Sequence, residues 1–219
     1  MKGTITLISV LIFQTCLTNG TKPIDRDEQI WSPTKKVQEG LKKAYFAAGC
    51  FWCVEAIYES VKGVNEVYSG YSGGETKNPN YNQIGTGKTG HAEAVEIHYD
   101  PKIVSFRTLI QVFFGSHDPT TANRQGPDRG TQYRSIAFYK NANERETIQK
   151  YIEFLEEKNV FSDEIVTEVK PLEKFYYAEE YHQNYERLNP NNRYVQQVSI
   201  PRLRRFQKTY PELLKEKSN

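Results

Sequence analysis

A short motif, Gly49-Cys50-Phe51-Trp52-Cys53-Val54-Glu55, most constrains what this chain can fold into. It follows an apolar run at residues 44–48 and begins a segment whose apolar residues recur at positions i, i+3, i+4 and i+7. This pattern predicts a strand that leads directly into a helix. Both cysteines would then lie on the first helical turn, where unpaired backbone N–H groups and the helix dipole stabilise an anion.

The spacing of Cys50 and Cys53 is that of a C-x-x-C pair. Helix N-termini and C-x-x-C spacings both lower a thiol pKa below its free value of about 8.5, and the thiolate is the reactive form of cysteine. We therefore expect Cys50 to be the more acidic thiol and to be reactive. The alternative is that both cysteines are inert buried residues, which is the commoner role of a free cysteine.

Length and net charge limit the number of domains and the kinds of partner that the protein can have. The 219 residues allow one domain of ordinary size with extensions. Lysine and arginine number 29 against 27 acidic residues, and a net charge of +2 gives no reason to expect a nucleic-acid partner.

The N-terminus predicts export. Met1-Lys2 precedes a nearly continuous apolar run from Ile5 to Phe13, which is too short to span a bilayer and is typical of a secretion signal. Cys16 closes this segment where a lipoprotein signal places its acylated cysteine, although Phe13-Gln14-Thr15 departs from the usual residues before it. Lipidation of Cys16 and simple cleavage nearby both remain open.

These observations divide the chain into three parts. Residues 1–16 are the signal segment, residues 17–40 a polar linker, and residues 41–219 a globular domain whose basic C-terminal tail wraps its surface. We expect a bacterial protein of the cell envelope, either periplasmic or lipid-anchored. Once Cys16 is cleaved off or acylated, Cys50 and Cys53 are the remaining free thiols.

An alternating strand at residues 91–99 carries a candidate acid. Period two places Glu93 on one face with Val95, Ile97 and Tyr99, and Ala92, Ala94, Glu96 and His98 on the other. A carboxylate on the more apolar face must be paired, or burial must raise its pKa. Glu93 is therefore a candidate proton donor near neutral pH; the alternative is an edge residue that pairs with a lysine.

Two further segments suggest loops. The first is the polar, glycine-rich stretch at residues 69–90, which contains Tyr81. Residues 85–89 within it are similar to part of a phosphate-binding loop. That motif is rejected because Asn82 stands at the position of its first glycine, and because a strand follows where the motif requires a helix. The long connection at residues 116–132 has no apolar period, and such loops are usually functional. It leads into a strand predicted to begin at Tyr133, where a loop-borne site could take a phenol from the scaffold.

The remaining elements indicate the fold class. The apolar residues at 106–113 and 148–155 predict two helices. A short strand is predicted at residues 165–169, stopped by Pro171. In residues 175–185 the tyrosines around His182 have helical spacing. A single histidine among tyrosines is more often structural than catalytic. With too few parallel crossovers for a doubly wound sheet, the chain predicts an α+β sandwich with helices packed on a mixed sheet.

Three motifs in order resemble the peptide methionine sulfoxide reductase A family. They are Gly49-Cys50-Phe51-Trp52, Gly90-His91-Ala92-Glu93 and Asp128-x-Gly130-x-Gln132-Tyr133-Arg134-Ser135, and the resemblance extends from about Ala44 to Tyr181-His182-Gln183. It implies a two-layer α+β fold with a ferredoxin-like core. It also implies reduction of the S epimer of methionine sulfoxide, free and protein-bound, as a form of protein repair under oxidative stress.

The resemblance assigns a role to each site residue. Cys50 matches the nucleophile, Phe51 and Trp52 the walls that hold the substrate methyl group, and Glu93 the acid that protonates the sulfoxide oxygen. Tyr81 and Tyr133 match phenols that bind this oxygen, and Asp128 matches a polar residue of the same pocket. Attack at sulfur would yield methionine and a Cys50 sulfenic acid, which condenses readily with a neighbouring thiol.

Cys53 is expected to take part in the return of the Cys50 sulfenic acid to a thiol. Many members of the family have Gly at this position and resolve the sulfenic acid with a cysteine near the C-terminus, which this chain lacks. A Cys50–Cys53 disulfide would then be reduced by a thioredoxin-like donor or another dithiol, with no metal or organic cofactor, and the protein is expected to be a monomer. The competing hypotheses are a general exported thiol–disulfide oxidoreductase that uses the C-x-x-C pair, and a secreted binding module with inert cysteines.

Overall fold

The computed structural model describes residues 31–34 and 38–216. The strands lie at Lys42–Ala48 (β1), Val64–Ser72 (β2), Ala92–Tyr99 (β3), Arg124–Gln125 (β4), Asp128–Arg129 (β5), Ser135–Tyr139 (β6), Glu168–Pro171 (β7) and Phe175–Tyr177 (β8). The helices lie at Phe51–Glu59 (α1), Tyr81–Gly85 (α2), Phe106–Ser116 (α3), Ala142–Glu157 (α4), Tyr185–Leu188 (α5) and Ile200–Thr209 (α6). Short 3₁₀ turns lie at Thr131–Tyr133, Glu180–His182 and Pro211–Leu213, and a π-helical turn at Val195–Ser199 leads into α6.

Six strands form one mixed sheet in the order β7-β6-β1-β3-β2-β8, and β4 and β5 form a separate small ribbon. Within the large sheet β6 and β7 are parallel, whereas the other neighbouring strands are antiparallel. Helices α1, α3, α4 and α6 bury their apolar residues in one core cluster with one face of this sheet. The predicted α+β fold with helices on a mixed sheet is therefore confirmed.

The two faces of β3 are as the alternating pattern predicts. Val95, Ile97 and Tyr99 lie in the core cluster under the helices, whereas Ala92 and Ala94 belong to a second cluster. All eight residues of β3 are buried, because β1 and β2 pair with its two edges and one of the two clusters covers each of its faces.

The structure corrects three local predictions. Tyr133 lies in a 3₁₀ turn, and β6 begins two residues later at Ser135. The strand predicted at residues 165–169 lies instead at Glu168–Pro171 (β7) and includes Pro171, because β7 is an edge strand and its outer side needs no N–H donor. Residues 175–185 are not one helix: β8 pairs with β2, so tertiary pairing overrides the helical spacing of the tyrosines.

The predicted signal segment at residues 1–16, with Cys16, and the greater part of the predicted linker lie outside the described residues. Trp31 is described, and its ring contacts those of Tyr68 and Tyr177 at centroid distances of 6.0 and 5.9 Å. In the described part of the chain no helix combines the length and apolar character needed to cross a membrane.

Candidate active site

The junction between β1 and α1 places the two cysteines. Gly49 has φ +84°, and a Cβ there would lie 2.6 Å from the Gln125 side chain, so glycine is required for both reasons. Cys50 is the N-cap residue of α1 and Cys53 is in its first turn. Both thiols are free and buried, with 5% and 1% of their surface exposed.

The electrostatics of the thiol pair reverse the sequence-based expectation. Burial, the hydrogen bond to Cys53 and the nearby Glu93 raise the pKa of Cys50. The hydrogen bond from Cys50 and the positive charge of Arg202 lower the pKa of Cys53 to about 6. In the substrate-free protein Cys53 is therefore the more acidic thiol, and Cys50 holds the proton that the pair shares.

Glu93 lies beside the start of α1 at the bottom of the same site. Its Oε2 accepts a hydrogen bond of 3.0 Å from the backbone N–H of Phe51, the residue after Cys50. The side chain is 2% exposed, and burial raises its pKa to about 8 despite this hydrogen bond. Glu93 is therefore largely protonated at neutral pH and can donate a proton next to Cys50.

Aromatic rings surround Cys50 and Glu93. Phe51 is buried and stacks with Tyr81 at 6.3 Å, and Trp52 stacks face to face on Tyr185 at 3.7 Å. The Trp52 indole Nε1–H donates a hydrogen bond of 3.1 Å to Nδ1 of His182. These apolar walls suit a small alkyl group next to Cys50.

Tyr81 and Tyr133 reach the site from different loops. Tyr81 begins α2, which is started by a capping box at Asn80 and Gln83, and Tyr133 ends a 3₁₀ turn. Burial, with Glu93 as the second cause, raises the pKa of both phenols. Each phenol is therefore a neutral hydrogen-bond donor at physiological pH.

Asp128, in β5, is hydrogen-bonded to Tyr194, a residue that no sequence motif marks. Its Oδ2 accepts a hydrogen bond of 2.5 Å from the Tyr194 hydroxyl. Burial raises the pKa of Asp128, and burial followed by the nearby thiols raises that of Tyr194. The Tyr194 hydroxyl also favours the thiolate forms of Cys50 and Cys53, so it connects Asp128 with the thiol pair.

Arg202, which the sequence placed in a surface tail, lies beneath the thiols. It is 7% exposed, and its guanidinium donates hydrogen bonds of 2.8 Å to the carbonyl of Ala48 and 2.7 Å to that of Ser116. A basic run is normally solvated, so no local signal distinguishes this arginine from Arg204 and Arg205, which are exposed.

A further buried carboxyl group, Glu55 on α1, was not among the predicted site residues. It accepts hydrogen bonds from the Ser69 hydroxyl (3.1 Å) and the Asn184 backbone N–H (3.0 Å), and burial raises its pKa to about 8. Its position in the Gly49–Glu55 motif was the available signal. Glu55 connects α1 to β2 and to the segment that carries His182.

No group of three or more His, Cys, Asp or Glu side chains within residues 31–34 and 38–216 is arranged to hold a metal ion. What the described residues bring together is a buried thiol pair, a protonated carboxyl group, two neutral phenols and apolar walls. This combination can protonate a poor oxygen leaving group while a sulfur nucleophile attacks.

Comparison with known proteins agrees with this chemistry. The family model described as peptide methionine sulfoxide reductase matches residues 42–214. A peptide methionine sulfoxide reductase MsrA of Rhodopirellula baltica is 51% identical over 180 residues, which cover 82% of this chain and 93% of that protein.

Solved structures give the same result. Methionine sulfoxide reductase A of Corynebacterium diphtheriae matches with a TM-score of 0.65 and 33% identity over 77% of this chain and 91% of that one. Mxr1 of Saccharomyces cerevisiae in its reduced form matches with a TM-score of 0.66 and 35% identity over 75% and 94%. The chain therefore belongs to the peptide methionine sulfoxide reductase family and is an oxidoreductase that reduces methionine sulfoxide.

Proposed function

We propose that this enzyme reduces the S epimer of methionine sulfoxide, free and protein-bound, with Cys50 as nucleophile and Glu93 as acid. The observation that carries the proposal is the hydrogen bond from Phe51 N–H to Glu93, which places a protonated carboxyl group one residue from Cys50 in a buried aromatic pocket. Phe51 and Trp52 hold the substrate methyl group. Tyr81 and Tyr133 donate hydrogen bonds to the sulfoxide oxygen, and Asp128 holds Tyr194 at the edge of the same pocket.

In the first step the Cys50 sulfur attacks the sulfoxide sulfur while Glu93 supplies a proton to the oxygen. The protonated oxygen then passes from the substrate sulfur to the Cys50 sulfur. The S–O bond of the substrate and the bond between the two sulfurs both break, methionine leaves, and Cys50 becomes a sulfenic acid. Sulfur of the substrate is reduced by two electrons and Cys50 is oxidised by two. Because Cys50 is protonated in the free enzyme, its proton has to leave as substrate binds, and the Cys53 thiolate beside it is the nearest acceptor.

In the second step Cys53 attacks the Cys50 sulfenic sulfur, a disulfide forms and water leaves. The proton that Cys53 took from Cys50 leaves with the sulfenic oxygen as water, and the low pKa of Cys53 eases its loss, since a thiolate is the attacking species. A thioredoxin-like dithiol then reduces the disulfide to the starting thiols. No metal or organic cofactor takes part in these steps, and the enzyme acts as a monomer.

Single-turnover experiments without reductant test the mechanism. Glu93→Gln should slow the formation of methionine by about 10²–10⁴-fold, the usual worth of a positioned proton donor, and Cys50→Ser should form none. Cys53→Ser should release about one methionine per enzyme molecule and then stop. Mass analysis of the wild-type peptide should show the loss of two hydrogens that marks a Cys50–Cys53 disulfide.

Two results would contradict these assignments. Wild-type rates in Glu93→Gln would remove Glu93 from the chemistry. Sustained turnover of Cys53→Ser with a thioredoxin as reductant would mean that the external thiol attacks the Cys50 sulfenic acid directly.

The topology also supports the ferredoxin-like core that the resemblance implies. Strands β6, β1, β3 and β2 are neighbours in this order and antiparallel. Helix α1 connects β1 to β2, and α3 lies between β3 and β6, as in two interleaved split β-α-β units.

We also propose that the protein is exported, with Cys16 either acylated or removed. The support is the short apolar run after Met1-Lys2 and the position of Cys16 at its end. The intact mass of the protein from membrane and soluble fractions distinguishes the outcomes. A mature chain that begins at Cys16 with an acyl mass indicates anchoring, and a chain that still begins at Met1 excludes export.

A further inference from the structure

The segment after β8 contacts the pocket from behind through Glu179 and His182. The next two residues anchor this segment. The Gln183 side chain accepts a hydrogen bond from Ser69 N–H (2.9 Å) and donates to Ser69 O (3.0 Å), both on β2. The Asn184 N–H donates to Glu55 on α1. The segment is therefore fixed to two elements of the scaffold on which the pocket is built.

Glu179 holds the residue that carries one of the phenols. Its Oε1 accepts a hydrogen bond of 2.9 Å from the backbone N–H of Tyr81, and its Oε2 accepts one of 2.8 Å from the Tyr71 hydroxyl. Tyr81 begins a helix of only five residues, so this carboxylate is a principal attachment of that end of the helix.

His182 holds the indole wall. The Trp52 indole nitrogen can only donate, so Nδ1 of His182 must be the acceptor and the proton of the neutral ring must lie on Nε2. Burial lowers the pKa of His182 to about 4, which keeps the ring neutral. The ring lies 4.3 Å from that of Tyr81 and 5.0 Å from that of Phe51, so it fills the space behind the pocket walls.

Nε2 of His182 is buried and has no hydrogen-bond partner among the described residues. The nearest carboxylate oxygen, Oε2 of Glu179, is 3.9 Å away, which is too far for a hydrogen bond. An unpaired buried N–H is costly, and a structural histidine would ordinarily satisfy both nitrogens. In this ring Nδ1 accepts the hydrogen bond from Trp52, and Nε2 carries the proton without a partner. The negative charge of the facing Glu179 carboxylate favours this Nε2–H tautomer.

We propose, on the basis of the function proposed above, that His182 and Glu179 are positioning residues with separate tasks. His182 fixes Trp52 and thereby sets the selectivity of the pocket for a methyl substituent on the sulfoxide. Glu179 fixes Tyr81 and thereby places the phenol that binds the sulfoxide oxygen. The two tasks predict different kinetic defects.

The first test compares kcat/KM for methionine sulfoxide and ethionine sulfoxide, which differ by one methylene at the methyl pocket. One methylene is worth about 10–200-fold in a well-formed apolar pocket. In His182→Asn the amide oxygen can replace Nδ1 as acceptor, and we expect the methyl preference to stay within about threefold of wild type. In His182→Gln and His182→Phe no acceptor stands at the Nδ1 position, and the preference should fall about tenfold through a raised KM for methionine sulfoxide.

The second test uses Glu179→Ala, which removes the acceptor for Tyr81 N–H. We expect kcat to fall about tenfold or more while the methyl-to-ethyl preference is retained. Glu180→Gln, at an exposed position in the same turn, is the matched control and should leave both quantities unchanged. Thermal denaturation of each variant identifies those that fold. If His182→Phe does not fold, the comparison of His182→Asn with His182→Gln decides the question.

Equal loss of selectivity in His182→Asn and His182→Gln would overturn the assignment to His182, because the acceptor would then be irrelevant. A retained preference in all three His182 variants would overturn it as well. An unchanged kcat in Glu179→Ala would overturn the assignment to Glu179. In each of these cases wild-type turnover persists, whereas a wild-type enzyme that fails to reduce either sulfoxide would refute the proposed function and this inference together.

Discussion

Replacing Glu93 with Gln should make the protein more stable, increasingly so as the pH rises. The structure raises the pKa of Glu93 from 4.5 to about 8, mainly through burial. The folded state therefore retains a proton that the unfolded chain loses above pH 4.5. The contribution of this group to stability is fully present below pH 4.5 and is lost progressively as the pH rises to about 8.

The size of the effect follows from the same pKa values, at about 1.4 kcal/mol for each pKa unit. If the Gln amide substitutes for the protonated carboxyl group, Glu93→Gln should raise the free energy of unfolding by about 1 kcal/mol at pH 5 and about 4 kcal/mol at pH 8. Glu55, the other carboxyl group with a pKa of about 8, is present in both proteins, so its contribution cancels in the difference.

Glu96 provides the matched control because it lies on the same strand and faces the opposite side. Burial alone would raise its pKa, but hydrogen bonds led by that from His98 outweigh burial and lower it to about 2. Its stabilising contribution is therefore present above pH 4.5 and is lost as the pH falls to about 2. Glu96→Gln should destabilise the fold by about 3 kcal/mol.

The assay is urea denaturation of the reduced proteins at several pH values between 5 and 8. We expect a stabilisation that grows with pH for Glu93→Gln, and a difference of opposite sign for Glu96→Gln. A Glu93→Gln protein that is no more stable than wild type at pH 8 would refute it. So would a stabilisation that does not change with pH.

Three further predictions concern the thiols, the acid and the N-terminal aromatic contact. Arg202→Met should raise the Cys53 pKa above about 6 and slow disulfide formation, whereas Arg202→Lys should keep both near their wild-type values. Thiolate absorbance at 240 nm against pH measures the Cys53 pKa, and an unchanged titration in both variants would contradict the role of the Arg202 charge. The rate of methionine formation should fall above about pH 8 in wild type, as Glu93 loses its proton, and should lack this fall in Glu93→Gln. Trp31→Ala should lower the free energy of unfolding by about 1–2 kcal/mol in urea denaturation, because Trp31 packs on Tyr68 and Tyr177; an unchanged midpoint would show that these contacts contribute nothing.

The parts of the fold that the sequence predicted are those with a strong local pattern. The apolar period after Cys53 gave α1, and the alternation around Glu93 gave β3 and the correct face for its side chain. The tyrosines of residues 175–185 have an equally regular spacing, but pairing of β8 with β2 determines their conformation. A local pattern cannot anticipate a partner strand about 100 residues earlier in the chain.

The candidate site was predictable only where a motif marks it. Tyr194 and Arg202 lie in segments with no motif, and they reach the thiols through contacts that span 66 and 154 residues of sequence. The relative acidity of the two thiols was predicted wrongly for the same reason. The helix terminus is a local feature, whereas burial and the charge of Arg202 are properties of the assembled fold.

The position of Arg202 also has a consequence for biosynthesis. Ala48, which accepts a hydrogen bond from this guanidinium, leaves the ribosome 154 residues before its partner does. A growing chain therefore carries both cysteines long before it carries the Arg202 charge, which adds to the hydrogen bond from Cys50 in lowering the pKa of Cys53. Unshielded thiolates are the species that oxidants and stray disulfides attack. Because the arginine comes from α6, the pair stays weakly reactive until this helix has been made and has packed against β1 and α3.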